Sequence, residues 1–130
     1  MRDINDLTNS NIGAAILHTS LGPGLLESAY QKCLKYEMAE IGLEVEEERD
    51  MPLVYKQVKM DCGYRIDLLV ENKVVVELKS VSEVTDAHIA QVLTYLKLSN
   101  NNIGLLLNFI VFRLKDGIRR LINKHYEDTE

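Results

Sequence analysis

The chain has 130 residues, 46% of them apolar, with 7 glycines and 2 prolines, which suits one compact globular domain over residues 1–130, and its net charge of −5 argues against a protein that coats nucleic acid non-specifically. The longest apolar stretch, Ile103 to Phe112, is interrupted by Gly104 and Asn108 and falls far short of the ~20 residues a membrane-spanning helix needs. Met1-Arg2-Asp3-Ile4-Asn5-Asp6 lacks the basic and then apolar run of a signal peptide, so a cytoplasmic location is expected, and Cys33 and Cys62, with no C-x-x-C spacing, read as reduced thiols.

In chain order, residues from about Ile4 to Leu21 read as a helix, with Ile4, Leu7, Ala14, Ala15 and Leu17 inward and Leu21-Gly22-Pro23-Gly24 as its stop. A second helix starts near Leu25. Its Leu26, Tyr30, Cys33, Leu34, Met38 and Ile41 follow helical spacing, and Gly42 is placed to end it in a left-handed conformation. Leu43 to Glu48 alternates apolar and acidic residues as an edge strand does, Pro52 breaks it, and Leu53 to Met60 is a further, less regular strand. After two central strand-like runs, Thr85 and Asp86 open a helix whose stripe of Ile89, Val92, Leu93 and Leu96 runs to about Leu98. Asn100-Asn101-Asn102 makes a loop, Leu105 to Phe109 a strand buried on both faces, and Gly117 to Ile122 either a last strand or a short helix. The order predicts an α/β fold on a mixed sheet, without internal repeats.

The two central runs, Tyr64 to Val70 and Val74 to Lys79, carry Asp67, Glu77 and Lys79 in otherwise apolar strands. A buried unpaired carboxylate is costly, so such groups sit with a partner or a metal, and two carboxylates beside one lysine suit a hard cation and a water nucleophile. Alternation puts Ile66, Leu68 and Val70, and likewise Val74, Val76 and Leu78, on an apolar core face, with Asp67, Glu77 and Lys79 pointing the other way. If Glu71-Asn72-Lys73 is a three-residue loop, Val70 pairs with Val74 and Asp67 stands opposite Glu77. A two-residue loop at Asn72-Lys73 would instead pair Asp67 with Leu78, on the core face. A metal-dependent phosphodiesterase site therefore requires the odd-numbered loop. The alternative is an ion pair of Lys79 with Glu77 or Asp67, but among Val74, Val75, Val76 and Leu78 it would stabilise little and cost desolvation.

Gly24-Leu25-Leu26-Glu27-Ser28-Ala29-Tyr30, after His18 and Leu21-Gly22-Pro23, resembles the signature of the GxxExxY protein family of the PD-(D/E)XK nuclease superfamily. Asp67, Glu77-Leu78-Lys79, and Gln91 with Tyr95 follow in the family's order, so the resemblance covers nearly the whole chain. It implies a restriction-endonuclease-like core, a mixed central β-sheet flanked by helices, with a Mg²⁺-dependent site that Mn²⁺ can also serve. Asp67 and Glu77 would be metal ligands, Glu27 the helix-borne acid that completes the set, Lys79 the group that orients water and steadies the phosphate, and Gln91 a supporting residue. Ile66 stands where the superfamily's name has proline. The implied substrate is DNA or RNA, and a homodimer is compatible with every reading.

Each supporting residue also has a plainer reading. Glu27 in a first helical turn opposes the helix dipole, Tyr30 fits core packing, Gln91 and Tyr95 share a face with His88, and His18 is a polar residue of an amphipathic helix. Glu44, Glu46, Glu47, Glu48 and Asp50 form an acidic ridge, and Arg113, Lys115, Arg119, Arg120 and Lys124 a basic cluster. The cluster would serve a backbone-binding surface, or both are solvated faces. The competing functions are a catalytically silent module that binds nucleic acid or a protein partner, and a scaffold domain with an apolar patch of Val111, Phe112 and Leu114.

Overall fold

The two apolar runs around Glu71-Asn72-Lys73 form the middle of a five-stranded sheet in the computed structural model, which describes residues 24, 26–101, 103–109 and 117–122. The expected first helix with His18, the Val111, Phe112 and Leu114 patch, and Arg113, Lys115 and Lys124 lie outside the described residues. The elements are α1 (Glu27–Glu40), β1 (Val45–Asp50), β2 (Leu53–Tyr55), β3 (Val58–Met60), β4 (Arg65–Val70), β5 (Val74–Lys79), α2 (Asp86–Ser99), β6 (Ile103–Asn108) and β7 (Ile118–Ile122). The large sheet runs β1-β4-β5-β6-β7, and among the described residues β2 and β3 pair only with each other. β5 and β6 are parallel, joined by α2 as a crossover, and the other neighbours are antiparallel, so the sheet is mixed as expected.

Local chemistry sets the helix limits. Gly42 takes φ 86°, its amide donates to the Ala39 carbonyl at 2.9 Å and that of Leu43 to Met38 at 3.0 Å, a Schellman closure of α1 at the predicted glycine. Thr85 caps α2: its hydroxyl accepts from the His88 amide, while His88 Nδ1 accepts from the Thr85 amide. Asn100, at φ 57°, ends α2 two residues past the predicted Leu98. Gly117 to Ile122, open between strand and helix in the sequence, ends as strand β7.

The helices cover opposite faces. Tyr30, Leu34 and Met38 of α1 pack on Leu68, Val70, Val74, Val76, Leu78, Leu105 and Leu107, and Tyr30 stacks on Phe109 with ring centroids 4.2 Å apart. Tyr95 and Leu96 of α2 pack with Met51, Ile66, Leu69 and Val75. Covered on both sides, β6 is buried along its whole length. α2 sits so close to β6 that a Cβ on Gly104 would stand 2.8 Å from Val92 Cγ1. Ile66 corrects the strict alternation: it joins the α2 cluster while Leu68 and Val70 join that of α1. The physical reason is an interruption of the ladder at Asp67.

The acidic ridge of β1 is not uniformly solvated. Glu47 accepts from Gln31 at 2.8 Å and pairs with Lys32 at 2.9 Å, tying β1 to α1. Burial pushes its carboxyl up, but those hydrogen bonds and the Lys32 and Lys35 charges outweigh this and hold it below its ordinary value.

Candidate active site

The predicted three-residue loop is present, with Val70 paired to Val74, Leu69 to Val75 and Leu68 to Val76. Lys73 donates to the Val70 carbonyl at 2.9 Å while Glu71 and Asn72 take φ 53° and 54°. Asparagine adopts this region readily. Glu71 is held there by Glu44, whose carbonyl accepts from the Glu71 amide at 2.7 Å and whose amide donates to the Glu71 carboxylate at 2.9 Å.

The same register brings Asp67 opposite Glu77, and there backbone pairing between β4 and β5 ends. Side chains replace it. The Asp67 amide donates to Glu77 Oε1 at 3.0 Å, and the Leu78 amide donates to Asp67 Oδ2 at 2.9 Å. On the far side of β4, Glu48 occupies the matching break in the β1 pairing with φ 53°, and the ladder resumes at Arg49 and Ile66. The strands thus open at one point, and each carboxylate satisfies an amide of the opposing strand.

Glu77 is 3% exposed. Burial, then the neighbouring Asp67 charge, pushes its carboxyl up to about 9, and the two side chains share a hydrogen bond. Burial raises the Asp67 carboxyl as well, against the Leu78 amide and the Lys79 charge. Without a cation the pair holds a proton at neutral pH.

Lys79 lies two residues beyond Glu77 on β5, and its Nζ donates to Gln91 Oε1 of α2 at 3.4 Å. Gln91 Nε2 donates to the Tyr95 hydroxyl at 3.2 Å. Burial, and then the Glu77 charge, raises the Tyr95 phenol. Of the residues predicted for the site, Asp67, Glu77, Lys79 and Gln91 are therefore gathered, with Tyr95 behind them. Glu27 arrives from the other face: its carboxylate accepts from the Ser80 amide at 3.1 Å, and its charge is felt at Asp67. Among the described residues no three His, Cys, Asp or Glu side chains form a ready metal cage. Asp67 and Glu77 face each other, and the Glu27 carboxylate meets the chain at Ser80, the residue that follows Lys79 at the end of β5.

Ser80 was not foreseen from the sequence. Its hydroxyl is buried without a hydrogen-bond partner among the described residues, beside the amide that Glu27 binds. A serine after a strand lysine carries no distinguishing pattern. Arg119 and Arg120, the described part of the basic cluster, are exposed on β7, at the sheet edge remote from β1.

The donor set is oxygen only, without thiolate or imidazole, and contains two facing carboxylates whose burial and mutual repulsion disfavour their charge. That fits a hard divalent cation, whose charge would take the proton's place. No helix among the described residues is long and apolar enough to cross a membrane. Residues 5–121 match the family model of the PD-(D/E)XK nuclease superfamily, and the chain belongs to that superfamily. No curated protein and no solved structure matches the chain.

Proposed function

We propose that this PD-(D/E)XK superfamily chain is a Mg²⁺-dependent nuclease that hydrolyses phosphodiester bonds in DNA or RNA, that Mn²⁺ can substitute, and that it falls in the GxxExxY branch whose motif runs from Gly24 to Tyr30. The observation that carries this reading is the opening of β4 and β5 at Asp67 and Glu77, where two carboxylates converge with Lys79 next along the strand. Asp67 and Glu77 would hold the cation, with the Glu27 carboxylate adding charge from the Ser80 side. When bound, a divalent cation would supply positive charge at the phosphate and lower the pKa of a water. Lys79 directs a second positive charge at the phosphate. Fixed by its strand and by Gln91, it keeps an orientation that a loop lysine would lose. Tyr95 in turn fixes Gln91.

A second reading, a catalytically silent module that binds nucleic acid or a protein partner, has one observation in its favour: both carboxylates already satisfy backbone amides, which is also a structural service. Purified protein with Mg²⁺ or Mn²⁺, offered a mixed DNA and RNA panel, separates the two. Nicking that Glu77→Gln or Lys79→Ala abolishes without lowering Tm supports the nuclease. An uncut panel, with the variants changed only in stability, supports the module. Calorimetry adds a substrate-free check, in which saturable Mn²⁺ uptake disappears in Asp67→Asn.

A further inference from the structure

We propose that the β2–β3 hairpin is a docking arm for single-stranded nucleic acid, feeding a flexible strand to the Asp67–Glu77 opening. This rests on reading that opening as a site that acts on nucleic acid.

The hairpin is a two-stranded sheet of its own, and it leaves Val54, Tyr55, Val58 and Met60 exposed, at 63%, 55%, 55% and 39%. A solvent-facing ribbon so rich in apolar surface gains nothing for its own stability, since an isolated two-stranded hairpin is marginal. Its charge is one-sided: residues 53–60 contain Lys56 and Lys59 and no acid, in a chain whose net charge is −5. Lys56 Nζ lies over one face of the Tyr55 ring, 5.6 Å from its centroid, so the opposite face of the ring and a cation are offered together. That pairing fits one nucleotide, the ring stacking a base and the ammonium meeting its phosphate.

The arm is joined to the site by contacts. It springs from between β1 and β4, where the Met51 amide donates to the Tyr64 carbonyl at 2.8 Å. The Tyr64 ring meets Tyr95 edge-on at 6.2 Å, Tyr95 accepts from Gln91, and Gln91 accepts from Lys79. A strand is favoured over a duplex for two reasons. Stacking on a tyrosine needs a base already out of its pair, and the carboxylates are recessed, with Glu77 only 3% exposed, so the phosphate must bend in to reach them.

The test uses the full chain carrying Glu77→Gln, to suppress cutting, with fluorescein-labelled oligo(dT) and a fully paired duplex as probes, while unmodified protein and the hairpin variants are assayed with Mg²⁺ and Mn²⁺ for cutting of both. Expected is preference for oligo(dT), a loss of about tenfold or more with Tyr55→Ala, and a salt-dependence slope shallower by about 1.4 when Lys56 and Lys59 both become Gln, at about 0.7 per phosphate. Tm should stay put, because these side chains are exposed. Hairpin variants that bind like their parent, a parent that prefers the duplex, or light scattering showing a dimer dissolved by Val58→Lys would each overturn the arm. Cutting that proceeds unchanged in the hairpin variants overturns the arm and leaves the nuclease. Oligo(dT) held through the hairpin yet never cut overturns the nuclease and leaves the arm, and absence of both binding and cutting ends both.

Discussion

The two ends of the β4–β5 hairpin are built from the same strands and solve opposite problems. At the turn, Val70, Val74, Leu69 and Val75 pair in register and bury apolar surface against a helix on each face. Three residues away, at Asp67 and Glu77, backbone pairing is given up, and two carboxylates are held in a place that disfavours their charge. One end supplies stability and the other stores an electrostatic imbalance that a cation can relieve. Stability and chemistry should therefore separate along a single hairpin.

The largest effect expected is at the open end. Glu77→Gln should lower nuclease turnover by on the order of 10³-fold, as removal of a charged group used in the transition state does. Its Tm at pH 8 should be equal or higher, because the amide needs no proton there; a lower Tm would make Glu77 a structural prop. At the closed end the signs reverse. Leu69→Ala, 2% exposed in the wild-type chain, should cost about 2–5 kcal/mol by denaturant titration while turnover per folded molecule is kept. Turnover that fell in step with stability would mean the two ends are not independent.

A pH scan sharpens the contrast without mutation. Glu77 is raised from an ordinary value of 4.5 to about 9, so the folded chain keeps a proton that the unfolded chain releases across that window. In a chelator the stability that the Glu77 proton contributes should be full below 4.5 and be lost as pH rises toward 9. Asp67, also raised, adds to the fall, while Glu47, which is lowered, acts only below the window. Glu77→Gln should flatten the slope of Tm against pH. A stability that climbed through the window would contradict the buried pair. The smallest effect is a control away from both ends: Thr85→Ala, which removes the α2 cap, should cost about 1 kcal/mol at every pH.

Much of the site was legible because strand geometry is rigid. A period of two and one odd loop were enough to set Asp67 against Glu77, and the helix limits at Gly42 and Thr85 follow from residues with few alternatives. Strict alternation fails at the point where the ladder breaks. Ile66 changes face because the Asp67 amide takes a carboxylate in place of a strand carbonyl, an exchange no pattern of apolar residues announces. The β2–β3 hairpin was read as one strand because its turn, Lys56 and Gln57 at φ 50° and 69°, lacks the Gly, Asn or Asp that marks such turns. Glu27 meeting the Ser80 amide depends on how a helix crosses the sheet, 53 residues away in the chain, and composition carries no trace of it.

Gly104 pairs with Val75 on β5 and lies directly beneath Val92, the neighbour of Gln91. A Cβ there would stand 2.8 Å from Val92 Cγ1, so the Val92 side chain or its helix must shift to admit it. Where Val92 cannot give way within its rotamer, an alanine pushes the helix outward and carries Gln91 with it, away from a lysine it holds at 3.4 Å. If the proposed nuclease reading holds, a screen for well-folded chains that have gone dull should thus return substitutions at Gly104, with a methyl group acting as a shim under Gln91 and Lys79.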